Sequence, residues 1–174
     1  MSLDTELAVQ GYDRRERTPP DEPRYGRKTA DDTMAKPTLT VMHVDDSAAV
    51  RQQFQIILQQ VGWKVESFEA GETALRRVSG DGHGVDVAIL DMMLPGIDGL
   101  TITRELRANP FWRDRPILMC STTASPSVLR AARDAGLDGW AVKPFQPRNL
   151  IATIEKLHRR VSPCQTNSMA QAAR

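Results

Sequence analysis

Five short apolar runs alternate with five segments of helical period, and this alternation constrains the fold more than any other feature of the chain. The runs lie at residues 38–44, 63–68, 85–90, 117–120 and 139–142. After the first run Ser47 can cap a helix, Val50, Phe54, Ile57, Leu58 and Val61 recur at helical spacing, and Gly62 closes it. A second helix is expected over 69–78, ahead of a Gly-rich loop at 79–84. Pro95-Gly96 is turn chemistry, and a third helix comes next over 99–108 with Leu100, Ile102, Thr103 and Leu106 on its inner face. Pro116 opens the fourth run, and Gly136 ends a fourth helix over 124–135. A last helix over 146–160 turns Leu150, Ile154 and Leu157 inward. The third and fourth runs are apolar at successive positions, as strands covered on both faces must be. Strand–helix–strand units cross over right-handedly. The expectation is a doubly wound α/β domain around a five-stranded parallel sheet, spanning 38–160, with ligands bound beyond the carboxyl ends of its strands.

The flanking segments differ. Residues 1–37 carry Arg14-Arg15-Glu16-Arg17, Pro19-Pro20 and Asp21-Glu22-Pro23, with apolar residues scattered at no period. Such a stretch buries too little surface to offset its ordering entropy and is expected to be disordered. Met34 is a second candidate for the start of translation. Residues 161–174 are polar and are expected to form a tail. The net charge of +1 over 174 residues gives no ground for a nucleic-acid partner. Two cysteines, Cys120 and Cys164, make no disulfide framework, and no apolar stretch approaches membrane-spanning length or a signal peptide. A cytoplasmic protein without membrane contact is expected.

The residues at the strand ends are the informative ones. Asp45 and Asp46 come after the first run, Asp91 after the third, Ser121 and Thr122 after the fourth, and Lys143 after the fifth. Singly, each has an ordinary role: helix capping, a turn, a solvated charge. Jointly, they place three carboxylates, two hydroxyls and an amine on one rim, supplied by segments far apart in sequence. Carboxylates held that close repel unless a cation compensates them. Oxygen ligands of this kind suit Mg²⁺, which also draws in phosphate oxygens. A carboxylate is a nucleophile for phosphoryl groups. Lys143 is placed to pair with a phosphoryl oxygen, and Ser121 to hydrogen-bond another.

At these residues the chain resembles the receiver domain of bacterial two-component response regulators, of the single-domain chemotaxis type. The matching segments are Val44-Asp45-Asp46-Ser47, the run from Leu90-Asp91 through Pro95-Gly96 to Asp98-Gly99, Pro116-Ile117-Leu118-Met119-Cys120-Ser121, and Val142-Lys143-Pro144-Phe145. The resemblance implies a flavodoxin-like strand order of 2-1-3-4-5. It implies Asp91 as phosphoacceptor, with Asp46 and Asp91 ligating Mg²⁺, Asp45 acting through water, and Met93 contributing its backbone carbonyl. Ser121 would be the switch hydroxyl and Lys143 the phosphate-pairing lysine, the Lys143-Pro144 bond being cis in many relatives. Trp140 would be the switch aromatic that turns inward on activation.

Several positions depart from the family pattern. Trp140 stands where relatives carry Tyr or Phe, and Thr122 where they often carry Ala or Gly. Met93 and Thr123 match positions that flank the phosphoryl group in relatives, and an apolar Met at the first offers no hydrogen bond to an attacking water, so the resemblance implies moderate to slow self-dephosphorylation. The implied function is a phosphorylation-dependent switch, charged by a sensor histidine kinase or phosphotransfer protein. It is not an enzyme beyond its own phosphorylation and dephosphorylation. Nothing beyond 160 has room for an output domain, so signalling by contact with an unidentified protein is expected, with homodimerisation through the surface of the fourth helix, fifth strand and fifth helix as a further contact. Three other readings compete: a receiver-like scaffold that needs no phosphorylation, a receiver fragment of a longer regulator, and a flavin or nucleotide binder. The last would need a phosphate-cradling loop where Asp45-Asp46 stands.

Overall fold

The computed structural model describes residues 9–11, 38–79 and 84–161. Its elements are β1 (Val9–Gly11), β2 (Thr40–Val44), α1 (Ala48–Gln59), β3 (Lys64–Phe68), α2 (Gly71–Val78), β4 (Val87–Asp91), α3 (Gly99–Ala108), β5 (Ile117–Ser121), α4 (Pro126–Asp134), β6 (Gly139–Val142) and α5 (Pro147–Val161). The sheet order is β1-β6-β5-β4-β2-β3. Strands β2 to β6 are parallel and stand in the expected order, second-first-third-fourth-fifth. A sixth strand is added to them: β1 pairs antiparallel with β6. The sequence pattern assigns no structure to residues 1–37, and β1 corrects that expectation for Val9–Gly11. The rest of that stretch, residues 80–83 of the Gly-rich loop and 162–174 lie outside the described residues.

Local chemistry explains where the helices begin. Ser47 accepts from Val50 N–H at 3.4 Å, Asp98 from Thr101 N–H at 2.7 Å, and Ser125 from Val128 N–H at 3.4 Å, each capping its helix. Because Ser125 is the cap, α4 starts at Pro126 and not at Ala124; the ring's fixed φ and missing N–H suit that first position. Residues 109–115, which the helical pattern leaves unassigned, hold a short 3-10 turn, Pro110–Trp112, that sets Trp112 wholly in the core. Arg107 secures this region by donating to the carbonyls of Trp112, Arg115 and Gly136 and to the Asp138 carboxylate. An arginine in a helical pattern otherwise reads as a solvated charge; here its fork satisfies carbonyls that the turn leaves unpaired.

The sheet separates two cores. Met42, Val44, Ala88, Leu90 and Met119 face α2, α3 and α4 through Ala74, Val78, Ile102, Leu106 and Ala132. Val41, Val87, Ile89 and Leu118 face α1 and α5 through Phe54, Leu58, Leu150 and Ile154. Val87, Ala88, Ile89 and Leu90 are all fully buried, which is why β4 reads as an unbroken apolar run. Truncating Ile89 or Leu90 to alanine costs about 2–5 kcal/mol on the usual scale of such cavities.

One polar residue interrupts the second core. His43 is buried, stacks on Phe54 with ring centroids 4.0 Å apart, and has an Nδ1 with no hydrogen-bond partner among the described residues. Phe54 in turn meets Phe145 edge-on at 5.4 Å. Burial, aided by the charges of Lys143 and Arg51, lowers the His43 pKa to about 3. The unfolded chain therefore takes up a proton near pH 6.5 that the folded chain refuses, and stability falls as pH drops through the window between these values. Urea denaturation should show the wild type losing about 2 kcal/mol more than His43→Phe between pH 7 and pH 5. An identical pH dependence in the two proteins would contradict this assignment.

Candidate functional site

The carboxyl ends of the parallel strands meet on one rim. There Lys143, just past β6, reaches two carboxylates at once. Its Nζ lies 2.8 Å from Asp45 Oδ2, past β2, and 2.8 Å from Asp91 Oδ1, the last residue of β4. These contacts join residues 98 and 52 positions apart in sequence. Asp45 is buried at 2% side-chain exposure, Asp91 stands at 13% and Lys143 at 21%. Burial works to lower the Lys143 pKa, but the hydrogen bonds and charges of Asp45 and Asp91 outweigh it and hold the pKa above its ordinary value. The ammonium is a firm positive charge at the centre of the site.

Backbone geometry fixes each partner. Asp91 pairs within the ladder with Cys120, so its backbone belongs to the rigid sheet. Lys143 is tied to the neighbouring strand end by its N–H, which donates to Ser121 O at 2.8 Å, and its bond to Pro144 is cis, as the resemblance implies. Asp45 uses its other oxygen, Oδ1, to accept from Ser47 N–H at 2.9 Å. Both of its oxygens are engaged, while Lys143 takes one oxygen of Asp91 and leaves Oδ2. Arg51, which the sequence pattern does not single out, donates Nη1 to the carbonyls of Asp45 at 2.8 Å and Asp46 at 2.9 Å, clamping the acidic turn from one helical turn away. The only sequence signal for that role is a cation in the helix beginning just after an acidic pair.

The loop after Asp91 is held from both sides. Gly96 sits at φ +85°, in the left-handed region, and Ile97 N–H donates to Glu72 Oε1 at 3.3 Å. Gly99 N–H closes the loop on Met92 O at 3.2 Å. A Cβ at Gly99 would collide with the Asp91 carbonyl oxygen and stand 2.7 Å from Met119 Sδ, so only glycine lets α3 approach the reactive strand this closely. Met93, in the same loop, has its side chain 73% exposed.

The remaining predicted residues divide. Ser121 is buried, and its Oγ accepts from Thr123 N–H at 3.2 Å, leaving the hydroxyl hydrogen to donate. Thr122 and Thr123 are exposed. Asp46 is exposed beside the buried Asp45–Lys143–Asp91 unit, and among the described residues no three His, Cys, Asp or Glu side chains form a ready-made metal cluster. The expected convergence of three carboxylates is thus realised for Asp45 and Asp91, with Asp46 set at the solvent side. The paired Asp45 and Asp91 carboxylates still fit the chemistry of Mg²⁺, which binds through one or two carboxylates while keeping waters.

Trp140, which the resemblance implies as the switch aromatic, lies inside, 5% exposed, within the cluster that holds Met119, Ala132, Ala135 and Leu137. Its bulk gives the physical reason: an indole gains much more by burial than by lying on the surface. Its Nε1 is buried without a partner among the described residues.

Known proteins share the fold. The family described as response regulator receiver domain matches residues 41–155. The response regulator MprA of Mycobacterium leprae is 38% identical over 125 residues, covering 72% of this chain and 53% of that protein. This chain therefore spans about half the length of the curated relatives it matches. The chemotaxis protein CheY4 of Vibrio cholerae superposes with a TM-score of 0.65 at 32% identity, over 70% of this chain and 99% of that one. The receiver domain of a Pseudomonas aeruginosa sensor histidine kinase, solved with a magnesium ion coordinated in its active site cleft, shares the fold at 24% identity and a TM-score of 0.64, covering 71% of this chain and 99% of that one.

The tight contact at Gly99 yields a prediction. Gly99→Ala should lose about 1–3 kcal/mol in urea denaturation, the usual penalty for overpacking. An unchanged midpoint would show that α3 does not press on the Asp91 backbone.

Proposed function

The chain belongs to the family of response regulator receiver domains, and from that membership we propose that Asp91 accepts a phosphoryl group and that Lys143 reads the result. The observation that carries this reading is the bridge from Lys143 to both Asp45 and Asp91 at 2.8 Å. A phosphohistidine on a sensor histidine kinase or phosphotransfer protein is the proposed donor, with small acyl phosphates able to substitute. Asp91 Oδ2 attacks phosphorus, an acyl phosphate forms, and the bond from phosphorus to the donor's nitrogen breaks. The leaving histidine keeps the electron pair and takes up a proton.

Asp46, Asp91 and the Met93 carbonyl are the groups proposed to hold Mg²⁺, with Asp45 acting through water. Bound there, Mg²⁺ would neutralise negative charge on the transferring group. Among this chain's own residues, Lys143 gives up Asp91 Oδ1 for a phosphoryl oxygen while keeping Asp45 as its anchor. Ser121 donates its free hydroxyl hydrogen to a second phosphoryl oxygen, drawing the loop of Thr122 and Thr123 with it. The added charge of about −1.5 to −2 makes both contacts charge-assisted. Because Trp140 is already inside, the response runs through Ser121, the loop after β5 and the cis Lys143-Pro144 segment, without requiring an indole rotation. Shifting the population from 1:99 to 99:1 requires about 5.5 kcal/mol of differential contact energy, and two charge-assisted bonds supply part of it. Output is proposed to be contact with a protein target through α4, β6 and α5, in the cytoplasm. Among the described residues no helix is long and apolar enough to cross a membrane. The chain's only chemistry is then its own phosphorylation and dephosphorylation, the latter slow beside an apolar Met93.

A second reading has one observation behind it. The Trp140 side chain is 5% exposed, a fixed interior position compatible with a scaffold that binds its target without phosphorylation. Acetyl phosphate with Mg²⁺ separates the two. Wild type should gain the mass of one phosphoryl group and Asp91→Asn should gain none, with the label on wild type persisting for minutes. Equal labelling of both proteins, no labelling of either, or loss within seconds would contradict the corresponding part of the proposal.

A further inference from the structure

The two edges of the sheet are built differently. At one edge β3 reads Lys-Val-Glu-Ser-Phe, with Lys64 exposed and Glu66 paired to Arg77 at 2.9 Å. Charge on an edge strand discourages pairing with another chain. At the other edge β6 reads Gly-Trp-Ala-Val, with no charge and no proline. An edge of that composition attracts strands, and here it is covered: Val9 pairs with Ala141, Gln10 with Trp140 and Gly11 with Gly139, antiparallel. Asp138 N–H donates to Ile117 O on β5, so by strand alternation Gly139 and Ala141 turn their N–H groups outward, toward Gly11 and Val9.

We propose that the outer edge of β6 is a strand-docking surface whose occupant is this chain's own Val9–Gly11, and that this intramolecular strand keeps other strands off the face formed by α4, β6 and α5. The assignment of that face to output rests on the receiver reading; the docking itself does not. The sequence between β1 and β2 is long enough for it. Residues 12–37 reach at about 3.3–3.6 Å each, far more than the four strand spacings of about 4.8 Å that separate β1 from β2. Both strands belong to one chain, so the pairing is intramolecular and a brief ladder needs no second molecule. The same brevity makes β1 replaceable: a partner strand with a longer ladder would take its place. Because β6 ends next to Lys143, an event at Asp91 acts on the strand that β1 grips.

Amide hydrogen exchange tests this without phosphorylation or metal. Three proteins are compared: the full chain, the chain lacking residues 1–33, and the full chain with Val9→Pro and Gly11→Pro, which removes both donors facing β6. The Gly139 and Ala141 amides should exchange at least about tenfold faster in the two altered proteins, while β4 amides stay protected. A synthetic peptide of residues 5–15 added in excess should restore protection to the truncated chain. Equal exchange in all three proteins, or no response to the peptide, would overturn the proposal. Protection that rises with protein concentration would overturn it too, by assigning the edge to a second copy. The full chain carrying Asp91→Asn should keep the slow exchange, so a failure of the phosphoacceptor reading leaves this result distinct.

Discussion

Lys143 is the residue on which the site's geometry turns. It brings one ammonium to two carboxylates from different strands, and it does so from a strand end fixed to its neighbour by the Lys143 N–H bond to Ser121 O. Without that cation, Asp45 would be a buried carboxylate facing a second one at the carboxyl ends of adjacent strands. Neither desolvation nor like charge favours such an arrangement. The lysine therefore makes the acidic rim tolerable. In the proposed function the same positive charge meets the phosphoryl group, so one ion would serve both stability and signalling.

The surrounding structure limits what can move. Asp91 stands in the ladder and Gly99 lets α3 press against its carbonyl, so the proposed acceptor is rigidly held. Arg51 holds the backbone of the Asp45-Asp46 turn and Asp45 is capped by Ser47 N–H. The hydroxyl of Ser121 and the exposed residues after it are held by less: one bond from Thr123 N–H and no helix until Ser125. The loop after β5 is thus the least constrained part of the rim, next to β6, which carries Trp140 in its middle. The buried indole makes that strand stiff in its middle, and β1 adds a second constraint from outside.

Much of this was legible in the sequence for a physical reason. Parallel strands buried on both faces need continuous apolar runs, and doubly wound sheets put their ligands at strand ends. Asp45, Asp91, Ser121 and Lys143 are therefore found at the carboxyl ends of the first, third, fourth and fifth runs. Residues whose role depends on long-range backbone contacts were not legible. Arg107 and Arg51 look like solvated helix charges until the carbonyls they satisfy are in place. His43 looks like one more strand residue until Phe54 closes over it. Val9–Gly11 carries no periodic signal because three residues form a strand only when an edge is waiting for them. The burial of Trp140 depends on tertiary packing around β6, which periodicity alone does not report.

The central claim is that Lys143 and a divalent cation compete to compensate the same carboxylates, and calorimetric titration with Mg²⁺ tests it most directly. Lys143→Met removes the built-in cation and keeps most of the side chain's bulk. The account predicts tighter Mg²⁺ binding by Lys143→Met than by wild type, and binding lost in Asp46→Asn. Equal or weaker binding by Lys143→Met would show that the lysine is not compensating the metal's own ligands, and the account would fail.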